Sequence, residues 1–206
     1  NAAYGDGLFM VWAGANDLRD ALDNAQTVDP TTTFAEILGN VGSAVSTLYG
    51  LGARNFLLPN IPNLGLTPAV QALGQNASAG ASIVTGLFNG AMASSVGAWS
   101  ANPGLAGANL YTFDTFSAHN QAFAAAMQQG WNTSNGCLVP VAGAAQAPSA
   151  CDVSFYVDDI HPTTAVHQIM AQGMAAAVPE PGAMLLMATG ALALLGLQRR
   201  RQRGAA

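Results

Sequence analysis

The sequence predicts an α/β fold, three layers of α/β/α around a doubly wound parallel sheet, on three observations. Short continuous apolar runs, typical of strands covered on both faces, alternate along the chain with segments whose apolar residues recur every three or four positions. Those helical segments are long enough to act as the crossovers that parallel neighbours need. The chain has 206 residues, half of them apolar, which suffices for one core and is too short for two ordinary domains plus a tail.

Leu8, Phe9, Met10, Val11 and Trp12 form the first run, closed by Gly14, and read as a strand buried on both faces. From Phe34 onward, Ile37, Leu38, Val41, Val45 and Leu48 fall on one helical face, and Gly50 and Gly52 end that helix. Asn55, Phe56, Leu57, Leu58 and Pro59 make a second strand, followed by a loop containing Asn60, Pro62, Asn63 and Gly65. Leu73, Val84, Leu87, Phe88, Met92 and Val96 support one or two helices between about residues 68 and 99, with Gly80, Gly86 and Gly90 weighing against a single unbroken one. Asn102, Pro103 and Gly104 stop it. Asn109, Leu110, Tyr111, Thr112 and Phe113 are a third strand, and Phe123, Met127 and Trp131 mark the apolar side of the next helix. Residues 132–154 read as a loop, and Val166, Ile169, Met170 and Met174 define a final helix starting near Pro162.

Only 8% of the residues are charged, a bias that suits an exported bacterial protein. There is no lysine, and four of the six arginines, Arg199, Arg200, Arg201 and Arg203, lie in the last eight residues. Before Val178 stand ten carboxylates against Arg19 and Arg54. The basic cluster that neutralises phosphates is therefore missing from the body, and nucleic acid is not expected as a partner.

Cys137 and Cys151 flank a stretch rich in Pro, Gly, Ala and Ser, where two thiols can meet without distorting a helix or strand. A disulfide is the expected state. A metal pair lacks histidines at ligand spacing nearby, and two unpaired thiols are the remaining alternative. The bridge would add roughly 3 kcal/mol in the chain-entropy model and needs an oxidising compartment.

The last 29 residues form a separate module. Val178, Pro179, Glu180 and Pro181 break the preceding helix, and residues 183–197 are an uncharged run ending at the arginines. A spanning helix needs about 20 apolar residues, a length reached only with the Gly and Pro flank included. Arginines beside it would stay cytoplasmic and leave the body outside. An ordinary C-terminal anchor is one reading. Pro-Glu-Pro, a short hydrophobic helix and a terminal Arg cluster together resemble the PEP-CTERM sorting signal of Gram-negative bacteria. That resemblance implies recognition at Pro179, Glu180 and Pro181 by an exosortase-type membrane protease, transient anchoring in the inner membrane, and release to the cell surface or medium. The expected division is a body at 1–177 and a sorting tail at 178–206, with the membrane helix at about 183–197.

Two short constellations can carry chemistry, both expected beyond the carboxyl ends of strands, where doubly wound sheets bind ligands. In Gly14-Ala15-Asn16-Asp17, the glycine permits a sharp turn and Asn16 can aim an amide N–H into a cleft as an oxyanion donor. Equally, Asn16 or Asp17 could cap the next helix. In Asp158-Asp159-Ile160-His161-Pro162-Thr163, an acid three residues before a histidine can fix the imidazole tautomer and leave the other nitrogen free to accept a proton. Asp159 reads as solvent-facing or capping, and a lone Asp-x-x-His can also be merely structural.

Together and in this order, the two blocks resemble the GDSL (SGNH) hydrolases, whose third block is Gly-x-Asn-Asp and fifth block Asp-x-x-His. Gly52-Ala53-Arg54 through Leu64-Gly65-Leu66-Thr67-Pro68 resembles the intervening segment of secreted members, and the likeness covers residues 4 to about 178. It implies a flavodoxin-like three-layer fold and hydrolysis of acyl esters, of lipids or acylated carbohydrates, by a serine nucleophile. His161 would be the general base, Asp158 would orient it, Asn16 would sit in the oxyanion hole, and Gly14 would support the turn. No metal or organic cofactor is implied.

The family's Gly-Asp-Ser block has no counterpart here, since Gly5-Asp6-Gly7 places glycine where serine is required and lies too near the third block. The first residue is Asn1, and the expectation is a C-terminal portion of a longer enzyme, inactive without its nucleophile. The missing part would include the family's central strand, leaving Leu8 to Trp12 as an open apolar edge. His119 is expected to cap or be exposed, His167 to face solvent, Asp114 to serve a turn, and Trp99 and Trp131 to pack in the core or a groove. The alternative function is a non-catalytic surface adhesion or matrix protein on the same scaffold.

Overall fold

Three parallel strands organise the computed structural model, which describes residues 4–24, 29–138 and 148–179. They are β1 (Leu8–Met10), β2 (Asn55–Pro59) and β3 (Asn109–Phe113), in the order β1-β2-β3. Phe9 stands opposite Phe56, and Phe56 opposite Leu110. The helices are α1 (Ala15–Asp23), α2 (Pro30–Gly50), α3 (Pro68–Gln71), α4 (Gln75–Ser100), α5 (Thr115–Gln128) and α6 (Thr164–Ala177).

Because strand side chains alternate between faces, β2 feeds two cores at once. Phe56 and Leu58 enter a core with Leu18 of α1, Ile37, Val41 and Val45 of α2, and Phe88, Met92 and Val96 of α4. Leu57 enters the opposite core with Phe123 of α5, Phe155 and Tyr156, and Val166, Met170 and Met174 of α6. The result is a three-layer α/β/α arrangement. Placing α2 and α4 on one face follows from strands stepping in one direction through crossovers of one hand.

Local chemistry sets the helix ends. Asp29 caps α2 by accepting the Thr31 N–H at 2.9 Å, with Pro30 in the first turn. Gly74, at φ +100°, separates α3 from α4, so the region expected to hold one or two helices holds two. Gly80, Gly86 and Gly90 meet no neighbouring side chain and do not interrupt α4.

Several expectations are corrected. The β1 strand is not buried on both faces: Leu8 is 48% and Met10 56% exposed. Its lack of a second neighbour among the described residues is the open edge that the family resemblance implies, and the core under α5 and α6 is built on β2 and β3. Residues 132–154 are not simply a loop. They contain β4 (Asn132–Gly136), which pairs in parallel with β5 (Ser154–Tyr156). Leu73, Leu87, Met127 and Ile169, expected on apolar helix faces, are exposed, and Trp131 lies beyond the end of α5, packed on the second core.

Candidate active site

The turn leaving β5 carries Asp158 and His161. The Val157 N–H donates to the His161 carbonyl at 2.7 Å and the Thr163 N–H to the Phe155 carbonyl at 2.9 Å, so the five residues between are closed at their base. Within that turn the Asp158 carboxylate is shared. Its Oδ1 accepts the N–H of Ile160 at 2.8 Å and of His161 at 2.7 Å, and its Oδ2 lies 2.7 Å from His161 Nδ1.

A carboxylate only accepts, so Nδ1 carries the proton in this pair and Nε2 presents a lone pair. Nε2 makes no hydrogen bond among the described residues. The side chains are 68% and 48% exposed for His161 and Asp158, so the nitrogen is open to an incoming group. Partial burial works to raise the Asp158 carboxyl, but the N–H groups of His161 and Ile160 and the imidazole hold it below the usual carboxylate range.

The Gly-x-Asn-Asp block lies at the carboxyl end of β1. Gly14 adopts φ +102°, and a side chain there would run into Ile37 and lie 3.5 Å from Ile61 Cδ1, so only glycine fits. Asn16 is exposed in the first turn of α1, its side chain free of hydrogen bonds among the described residues. The capping alternative is not realised, because α1 has no side-chain cap bond. Gly14 and Asp17 line a cavity of about 150 Å³ with Val11, Ile37, Asn40 and Val41.

One segment, residues 60–69, is tied to the second constellation and to Trp12, just ahead of the first. At its start the Asn60 carbonyl accepts the Trp12 indole N–H at 3.1 Å. Further on, the Leu66 carbonyl accepts the Tyr156 hydroxyl at 2.7 Å, and the Ala69 N–H donates to the Asp159 carbonyl at 3.0 Å. Asp158 and His161 are in direct contact, and Asn16 and Gly14 share one turn. No hydrogen bond joins the two pairs.

His119 is neither a cap nor exposed. It is 97% buried, edge-on to Phe155 at 5.2 Å, with Nε2 3.3 Å from the Tyr156 hydroxyl, and burial brings its pKa down to about 4. The rings that bury it come from β5, far along the chain, which the spacing around His119 did not reveal. Burial likewise pushes the Tyr156 phenol well above its ordinary range. Asp114 has the turn role expected: it caps α5 by accepting the Ser117 N–H at 3.1 Å and also accepts from Asn60 Nδ2 at 2.9 Å. Asp159 and His167 are exposed.

Cys137 and Cys151 form a disulfide, with Cα atoms 5.1 Å apart. Among the described residues no group of three His, Cys, Asp or Glu side chains is placed to hold a metal ion. No described helix is long and apolar enough to cross a membrane. Pro179 is the last described residue of the tail; Glu180, Pro181 and the expected membrane helix at 183–197 lie outside the described residues.

Parallel strands between two helical layers, with an acid–histidine pair in the turn after β5, fit the fold of a hydrolase. The GDSL-like lipase/acylhydrolase family profile matches residues 1–174, and the chain belongs to that family. It is accordingly a hydrolase domain of the esterase or lipase type. The PEP-CTERM protein-sorting motif matches residues 177–201, which supports export, processing by an exosortase, and a surface or extracellular destination in a Gram-negative bacterium. No curated protein matches the chain.

Proposed function

We propose that this protein is an exported carboxylic ester hydrolase that cleaves acyl esters of lipids or acylated carbohydrates through a Ser-His-Asp triad. The reading rests on one observation: His161 Nδ1 is held 2.7 Å from Asp158 Oδ2 while Nε2 stays open. Nε2 takes the proton of a serine hydroxyl as the oxygen attacks the ester carbonyl, then returns it to the departing alcohol. A water repeats the cycle on the acyl-enzyme. Asn16 donates its amide N–H to the oxyanion, on a turn that Gly14 makes possible. The serine comes from the family's Gly-Asp-Ser block, N-terminal to Asn1, so these 206 residues alone are inactive. Residues 1–177 are the C-terminal portion of the hydrolase domain, and the tail, 178–206, anchors in the inner membrane until cleaved near Pro179.

A fluorophosphonate probe on the full-length protein tests this. The expected result is labelling of one serine upstream of Asn1, lost in His161→Ala, with no labelling of the 206-residue chain. Labelling of a serine within residues 1–206 overturns the nucleophile assignment. A folded full-length protein that neither labels nor turns over p-nitrophenyl esters supports the display or adhesion role instead.

A further inference from the structure

We propose that Gly136 is the positioning residue of the Asp158–His161 pair: its missing side chain lets the turn after β5 settle onto β4 with the carboxylate facing the imidazole. The proposal rests on the hydrolase reading of that pair. A Cβ on Gly136 would lie 2.5 Å from the carbonyl carbon and 2.6 Å from the carbonyl oxygen of Asp158, and still closer to its Cα. All three are backbone atoms, so no rotamer change relieves the contact. Gly136 is not among the glycines with positive φ, so the space of a hydrogen atom is what the site needs, not backbone freedom.

Hydrogen bonds tie the turn to β4. Gly136 stands opposite Tyr156 in the β4–β5 ladder, and the next two residues continue the clamp: the Cys137 N–H donates to the Tyr156 carbonyl at 2.9 Å and the Leu138 N–H to the Val157 carbonyl at 2.8 Å. Cys137 is also fixed by its bridge to Cys151. Above Gly136, Val157 and His161 close the base of the turn. A side chain at 136 therefore moves the Asp158 backbone, and with it the carboxylate that makes three bonds at 2.7 to 2.8 Å. Hydrogen bonds of that length weaken steeply when misaligned.

The test reads the imidazole directly. The chain has three histidines, and two-bond ¹H–¹⁵N correlations on histidine-labelled protein give each tautomer. The expected pattern for His161 is a proton on Nδ1 with Nε2 bare, changing in Gly136→Ala to a mixture in which Nε2–H dominates. His119, whose Nε2–H faces the Tyr156 oxygen, keeps its pattern and reports that the fold survives. Gly173→Ala, which crowds the Phe113 ring instead, destabilises without changing the His161 tautomer. In the full-length enzyme Gly136→Ala lowers kcat roughly 100-fold with KM nearly unchanged, the scale of a misplacement near 1 Å.

A folded Gly136→Ala protein with the wild-type His161 pattern overturns the proposal. A tautomer shift without loss of ester hydrolysis supports the positioning role and overturns the catalytic assignment of His161. Should Gly136→Ala not fold, the Cys137→Ala/Cys151→Ala pair loosens the same end of β4 without adding an atom against Asp158. A partial rise in Nε2–H is then expected, and an unchanged tautomer overturns the proposal.

Discussion

One carboxylate holds His161 in two ways: Asp158 Oδ1 binds its backbone N–H and Oδ2 its ring Nδ1, both at 2.7 Å. Asp158→Asn separates the two functions. The amide oxygen can still accept the backbone N–H groups, while the NH₂ now faces Nδ1 and favours the wrong tautomer. In the full-length enzyme kcat should fall roughly ten-thousandfold, as for triads whose orienting acid is neutralised, with thermal stability changed little. Steady-state kinetics and a melting curve check both halves.

The same carboxylate predicts a local pH response. Its folded pKa lies below the ordinary value because the N–H groups of His161 and Ile160 and the imidazole outweigh partial burial. A depressed carboxylate contributes order that is fully present above the unfolded pKa and is lost as pH falls through the folded pKa. The amide resonances of Ile160 and His161 should therefore titrate together, with a midpoint below that of a free aspartate. A midpoint above it contradicts the shared-carboxylate geometry.

Buried His119 sets the acid side of global stability. Its pKa of about 4, against 6.5 for a free histidine, means the unfolded chain binds the extra proton first as pH drops. Stability should decline from about pH 6.5 toward pH 4, by at most roughly 3 kcal/mol from this group. Urea titrations at pH 7 and 4.5 should show the decline, and His119→Leu should flatten it.

Two glycines with nearly equal φ separate strain from crowding. Gly14 and Gly74 lie at +102° and +100°, but only Gly14 has a neighbour in the way, Ile37. Gly74→Ala should cost about 1 kcal/mol for the left-handed backbone, and Gly14→Ala about 2 to 4 kcal/mol. Equal losses in denaturant titrations would remove the packing role assigned to Gly14.

The edge of β1, open among the described residues with Leu8, Met10 and Trp12 exposed, is a template for pairing with another chain. The 206-residue chain should self-associate with rising concentration, and Met10→Lys should restore monomers. Light scattering that finds a monomer at about 100 μM removes the edge as a liability.

The sequence made legible whatever depends on near neighbours. β2 and β3 appear at the boundaries read from their apolar and aromatic residues, and the Asp158–His161 contact spans three residues. β4 is not legible because Asn-Thr-Ser-Asn-Gly, apart from Thr133, lacks the apolar β-branched and aromatic residues that mark strands; its pairing with β5 supplies the stability its side chains do not. Gly136 was missed because the backbone it admits arrives 22 residues later, and the burial of His119 because the rings that cover it arrive with β5. The apolar run of β1 read as doubly covered, since hydropathy cannot tell a central strand from an uncovered one.

With Phe56 and Leu58 on one side and Leu57 on the other, β2 is a party wall between two rooms. A slip of a single residue would exchange the contents of both, so each interior proofreads the alignment of the other. Loosening that wall empties the two together, so the layers α2/α4 and α5/α6 lose their structure as one unit.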